Sequence, residues 1–128
     1  MTAHKEHSPG FLALVAEAKE RVHEISVEEA HKAVSGGTAR LIDVREESEW
    51  EDGHAKGAQH ISKGTIERDI EKLVPDKDEE LILYCGGGYR AALAADSLQK
   101  MGYTNVASMA GGWRAWVEAN APVDEEGR

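Results

Sequence analysis

The chain has one cysteine, Cys85, so no disulfide closes within it. Long apolar runs are missing as well. None approaches the roughly 18 residues of a membrane-spanning helix. The run from Phe11 to Ala16 is too short for a signal-peptide core, and Glu17, Lys19 and Glu20 flank it. Basic charge is in deficit: 15 Lys and Arg face 24 Asp and Glu, a formal net charge of −9. That balance argues against nucleic acid and anionic membrane surfaces as partners, because both are bound through basic patches. Any anion site must therefore be positive locally. The histidines (His4, His7, His23, His31, His54 and His60) fall in no metal-ligand spacing, and no second cysteine joins them, so no metal site is expected. The glycines make no phosphate loop of the Walker type, since no lysine follows at the needed spacing. There is no internal repeat and no low-complexity tract. A lone cysteine without a leader points to a reducing, cytoplasmic setting.

What is present centres on Tyr84-Cys85-Gly86-Gly87-Gly88-Tyr89-Arg90. Before it runs Leu81 to Tyr84, a short apolar stretch that reads as a buried strand. After it Ala91, Ala94, Leu98 and Met101 recur at helical spacing. Cys85 thus sits between a strand end and a helix start. The glycines let the backbone turn its N–H groups inward, and a helix N-terminus behind such a turn makes an anion-binding nest. A thiol there ionises more readily than a free cysteine, whose pKa is about 8.5. Arg90 adds a forked cation. A core cysteine needs none of this, so the pattern points to a thiolate nucleophile.

The rest of the chain reads as alternating elements. Its 128 residues suffice for one domain with one core. Met1 to His7 are polar and expected to fray. Ser8-Pro9 starts an amphipathic helix whose Phe11, Val15, Ala18 and Val22 carry it to about Val22, an arm packed on the domain. This arm makes residues 1–24 an N-terminal extension. His23 to Ile25 is an edge strand. Ser26 and Glu29 form a capping box for a helix that buries Val27, Ala30 and Val34 and ends at Gly36-Gly37. Ala39 to Val44 is a strand with Asp43 and Arg45 at its C-terminal end, the edge where sites gather in open α/β sheets. Glu46 to His54 reads as an acidic loop anchored by Trp50. Gly57 to Ile61 is a short strand, and Thr65 caps a helix bearing Ile66, Ile70 and Leu73, with Pro75 beyond it. Gly102 stops the helix after Cys85, with Tyr103 packing back on Leu98. Asn105 to Met109 is the last strand. Gly111-Gly112 leads into a helix anchored by Trp113 and Trp116, and residues 121–128 are a polar tail. Alternation of this kind predicts a three-layer α/β/α domain with a mostly parallel central sheet. His54 reads as either a general base or a loop-shaping side chain, the second being favoured. Asp43, Arg45 and Glu49 read as either site residues or members of a structural ion pair, the second being favoured.

The chain resembles the rhodanese family of sulfurtransferases in its single-domain form. The first stretch to carry the likeness is Leu41-Ile42-Asp43-Val44-Arg45 with Glu49-Trp50, Gly53-His54 and Gly57-Ala58. The Cys85 loop is the second, and Gly111-Gly112-Trp113 with Trp116 the third. The likeness covers about Ile25 to Val117, and implies a rhodanese-like domain over 25–120. It implies that the Cys85 thiolate takes the outer sulfur of thiosulfate or a persulfide donor. The amides of Gly86, Gly87, Gly88, Tyr89 and Arg90 would hold the resulting persulfide. An acceptor then removes the sulfur: cyanide in assays, a thiol or a sulfur-acceptor protein in the cell. No cofactor or metal is implied. Family members active on thiosulfate often carry a basic or polar residue after the cysteine, where Gly86 and Gly87 stand here. A serine or threonine commonly follows the loop arginine, where Ala91 stands. A phosphatase or arsenate reductase on the same fold is a rival reading, but such relatives have a longer loop than the six residues from Cys85 to Arg90. A non-catalytic docking module is the other rival, though inactive relatives usually lack the cysteine.

Overall fold

The computed structural model describes residues 7–124. The fraying expected at 1–6 and the end of the tail at 125–128 lie outside the described residues. The centre is a five-stranded sheet of β1 (His23–Ile25), β2 (Arg40–Asp43), β4 (Gln59–His60), β5 (Leu81–Tyr84) and β6 (Val106–Met109). Its order is β1-β6-β5-β2-β4, and each neighbouring pair is parallel. Every residue of β5 is buried, as its unbroken apolar run requires of a strand covered on both faces.

Helices α4 (Lys63–Leu73) and α5 (Tyr89–Lys100) cover one face, burying Ile66, Ile70, Ala94 and Leu98. Helices α2 (Val27–Ser35) and α6 (Gly112–Glu118) cover the other with Val27, Ala30 and Trp116. This is the three-layer α/β/α architecture expected. The capping box starts α2: the Ser26 hydroxyl accepts the Glu29 N–H, and the Glu29 carboxylate accepts the Ser26 N–H, each at 3.0 Å. A Schellman turn ends α5. Gly102, at φ +101°, lets the Tyr103 N–H reach the Leu98 carbonyl and its own N–H reach that of Gln99.

Four details differ from the sequence reading. Helix α1 (Pro9–Lys19) stops before Val22, yet Val22 stays buried, within the same core cluster as Ala94 and Leu98. The acidic stretch after Arg45 is not a loop but a short helix, α3 (Glu47–Glu51), started by the Glu46 N–H donating to the Glu49 carboxylate at 2.9 Å. Helix α4 begins at Lys63 after Ser62; Thr65 lies inside it, and Leu73 is exposed. The chain also has a strand after Pro122: β7 (Val123–Asp124) pairs antiparallel with β3 (His54–Ala55). The Pro122 carbonyl accepts hydrogen bonds from Trp116 Nε1 at 2.7 Å and from the Lys56 N–H at 3.0 Å, which ties this segment to α6. Two-residue strands are too short for a period-2 pattern to register. Among the described residues no helix is long and apolar enough to cross a membrane.

Candidate functional site

Parallel pairing brings the C-terminal ends of β2 and β5 to one sheet edge, and Cys85 follows directly on β5. Gly88 stands at φ +103°, a left-handed turn that glycine adopts without strain, and α5 starts at the next residue. The turn aims two amides at the sulfur. The Gly88 N–H donates to Cys85 Sγ at 3.1 Å and the Ala91 N–H at 3.3 Å. The likeness assigns the amides of Gly86 to Arg90 to a persulfide; at the thiol sulfur itself the donors are those of Gly88, within that set, and of Ala91, just beyond it.

The Gly-Gly-Trp motif holds the loop from behind. Gly111 and Gly112 both have positive φ, at +77° and +54°. They point the first amides of α6 at the loop: the Trp113 N–H donates to the Cys85 carbonyl at 2.6 Å and the Arg114 N–H to that of Gly86 at 3.2 Å. The approach is so close that a Cβ on Gly112 would collide with the Cys85 carbonyl oxygen. That motif is therefore the fixture that positions the cysteine loop.

A cavity of about 710 Å³ opens above Cys85. Gly86, Gly87, Tyr89 and Arg90 line it from the loop, as expected. Glu46, Ser48 and Glu49 line it from the start of α3, Arg114 from α6, and His7 and Phe11 from the N-terminal segment. Glu49 lines the cavity and is ion-paired as well, so the two roles open to it in the sequence meet in one residue. Its carboxylate accepts two hydrogen bonds from the Arg90 guanidinium, at 2.9 and 3.2 Å. The hydrogen bond from Arg90 holds Glu49 below the ordinary carboxylate range, and Glu49 in turn raises Arg90. Arg90 is thus an ion-paired cation. Arg114 is exposed and has no ion pair among the described residues, so it is the cation left over at the cavity.

Asp43 and Arg45 are not cavity residues. They form a buried pair under the sheet edge, with Arg45 Nη2 at 2.8 Å from Asp43 Oδ2 and at 2.7 Å from the Gly53 carbonyl. The Tyr84 hydroxyl donates to Asp43 and accepts the Ala55 N–H. Burial, with the Asp43 carboxylate beside it, pushes that phenol well above its usual value. Trp113 lies over the Arg45 guanidinium at 4.7 Å. The same network therefore braces the first and third motifs against each other. His54 is buried, donates from Nδ1 to the Trp50 carbonyl at 2.9 Å, and stacks on the Trp50 ring with centroids 3.3 Å apart. It braces the end of α3 and is not among the residues that line the cavity. His7, Phe11, Glu46, Ser48 and Arg114 are the cavity residues that the sequence reading missed. Arg114 alone had a signal, its place next to the Gly-Gly-Trp motif.

Residues 26–119 match the family described as Rhodanese-like domain. The chain belongs to the rhodanese family. Bacillus subtilis (strain 168) YrkF, proposed to be a sulfur carrier protein, is 32% identical over 96 residues, 74% of this chain and 51% of YrkF. The chain spans 51% to 60% of the length of the curated Bacillus relatives it matches. Among solved structures it is similar to the homodimeric polysulfide-sulfur transferase of Wolinella succinogenes. That likeness has a TM-score of 0.78 and 28% identity over 93% of this chain and 90% of that one. A protein of unknown function from Rhodopseudomonas palustris, suggested to be a tyrosine phosphatase, superposes with a TM-score of 0.84. It is 28% identical, over 96% of this chain and 100% of that one. The rhodanese-like domain accounts for most of the cavity wall; His7 and Phe11 come from before it.

Proposed function

We propose that this chain is a sulfurtransferase that carries sulfane sulfur on Cys85. The observation that carries the reading is the Cys85 sulfur at the cavity floor, with the Gly88 and Ala91 N–H groups aimed at it. The Cys85 thiolate attacks the outer sulfur of a donor, thiosulfate or a persulfide. A new S–S bond forms on Cys85, and the donor's own S–S bond breaks. Its electron pair leaves with sulfite when thiosulfate is the donor. The terminal sulfur of the persulfide is anionic, and the amides that now meet Sγ, with their neighbours at the start of α5, suit negative charge. A thiol, cyanide or a sulfur-acceptor protein then attacks the outer sulfur and restores the thiolate, so the kinetics are ping-pong. The names of YrkF and of the Wolinella transferase support the reading for sulfur chemistry in general.

Intact-protein mass spectrometry tests it. After incubation with thiosulfate the chain should gain the mass of one sulfur atom. With one thiol in the chain no protomer can resolve its own persulfide, so the adduct should survive desalting until an acceptor is added. Absence of any sulfur adduct with thiosulfate and with a small persulfide overturns the proposal. The second reading, a phosphatase, is favoured only by the suggestion attached to the Rhodopseudomonas protein. The six residues from Cys85 to Arg90 match the shorter sulfurtransferase loop, and hydrolysis of an aryl phosphate should be absent.

The cations give a second test. Arg90 is engaged by Glu49, so Arg114 is the group available for the charged end of thiosulfate. A charge-assisted hydrogen bond contributes about 1.5–3 kcal/mol, so Arg114→Ala should raise the KM for thiosulfate about tenfold or more. Glu49→Gln keeps the shape but releases Arg90. The pair is about one-third exposed on each side, 31% and 37%, which discounts its strength to that of a surface pair. KM should then fall only roughly two- to fivefold. Steady-state kinetics at two salt concentrations check both. Unchanged KM in both variants would show that backbone amides alone bind the dianion.

A further inference from the structure

The chain ahead of the matched domain reaches the site. Helix α1 lies along α5 and buries Val15 and Ala18 there. Just past α1, Arg21 grips Asp96 of α5 through two hydrogen bonds, at 2.9 and 2.8 Å. This anchoring sets the opposite end of α1 at the cavity mouth. His7, expected to fray with the residues before it, is instead packed: its ring centroid lies 4.7 Å from that of Tyr89 and 5.1 Å from that of Phe11. Phe11 and Tyr89 stand 6.2 Å apart, edge to face. All three rings are half-buried and all three line the cavity over Cys85. Aromatic faces left partly in water gain most from a ligand with an apolar body of its own. Thiosulfate has no such body. The cavity, at about 710 Å³, lies in the size range of sites that hold organic ligands.

We propose that His7 and Phe11, together with Tyr89, form a selectivity wall that favours sulfur donors with an aromatic or otherwise apolar body over inorganic ones. The proposal rests on the persulfide reading of Cys85. For a donor R–SO2–S⁻ the Cys85 thiolate bonds to the outer sulfur. The donor's S–S bond breaks and its electron pair leaves with the sulfinate R–SO2⁻. The body R is what meets the wall.

Benzenethiosulfonate and methanethiosulfonate share this reaction and differ in R. Their kcat/KM values are compared in the full chain, in Phe11→Leu and in the double variant His7→Ala, Phe11→Ala. Dividing one by the other within each protein, and comparing that ratio between proteins, removes the donors' intrinsic difference in reactivity. The phenyl-to-methyl ratio should fall about tenfold in the double variant, equivalent to about 1.4 kcal/mol of discrimination. It should fall less in Phe11→Leu, which keeps an apolar side chain to hold α1 in place. A purely structural role for the rings slows both donors alike and leaves the ratio unchanged. That result, in both variants, overturns the wall while leaving the persulfide reading intact. If neither donor places sulfur on Cys85 in a parent chain that loads from thiosulfate, the wall alone falls; if thiosulfate and a small persulfide also leave no sulfur there, the persulfide reading falls and the wall with it.

Discussion

A Cys85→Ser chain should fold as the parent does and take up no sulfur. Serine is close to cysteine in volume, and the hydroxyl it brings into this buried position is tolerated only if it is hydrogen-bonded. Its hydroxyl can accept the same Gly88 and Ala91 N–H groups that now meet Sγ. The fold around the loop is therefore kept. The chemistry is not: an alcohol is not ionised at neutral pH and cannot form the S–S bond on which transfer depends. Removing a covalent nucleophile leaves only binding and electrostatic assistance, so thiocyanate formation from thiosulfate and cyanide should drop at least on the order of 1,000-fold. Three measurements decide it together: thermal unfolding, intact mass after donor treatment, and turnover. A serine variant that unfolds tens of degrees early would say nothing about chemistry. A well-folded serine variant with normal turnover would end the persulfide reading.

The route from sequence to this site was open where short-range rules apply. The strand before Cys85, the helix after it and the glycine turn between them follow from an apolar run, a helical period and φ > 0 at Gly88. The α2 capping box and the Schellman turn at Gly102 are equally local. What stayed hidden depends on distance in the chain. Glu49 meets Arg90 across 41 residues, and no local pattern announces that pairing. His7 reaches the site because α1 docks on α5, a fact of packing. Arg114 reaches it because two glycines turn the α6 N-terminus toward the loop. The structure also shows which of Gly86 and Gly87 has room for a second loop cation. A Cβ at Gly86 would sit 3.2 Å from Arg90 Nη2, whereas at Gly87 the nearest atom is a Tyr89 ring carbon at 3.9 Å. Gly87→Arg is therefore the substitution that adds charge without displacing Arg90.

Replacing Gly112 by alanine should damage the protein more than replacing any glycine of the cysteine loop that keeps a negative φ. Two independent costs meet at Gly112. Its φ of +54° is left-handed, which costs a residue with a Cβ about 1–2 kcal/mol. The added Cβ also falls on the Cys85 carbonyl oxygen and within 2.9 Å of the Gly86 carbonyl carbon, both backbone atoms that cannot rotate away. Overpacking of this kind costs typically about 1–3 kcal/mol more. The sum is roughly 2–5 kcal/mol against a whole-domain stability of about 5–15 kcal/mol. For a domain of this size that lowers Tm by roughly 8–20 °C. The only relief is for α6 to retreat from the loop, which breaks the Trp113 and Arg114 hydrogen bonds to the Cys85 and Gly86 carbonyls. The amides at Sγ then lose their alignment, so sulfur loading should slow even well below the new Tm. Gly87→Ala is the matched control, because its backbone needs no positive φ and its Cβ has room. It should unfold within a few degrees of the parent and load sulfur at a similar rate. Equal stability of the two variants would mean that α6 does not press on the loop as closely as these contacts require. A Gly112→Ala chain that is destabilised yet loads sulfur normally at low temperature would separate the two roles, leaving α6 a buttress for the fold and not for the cysteine.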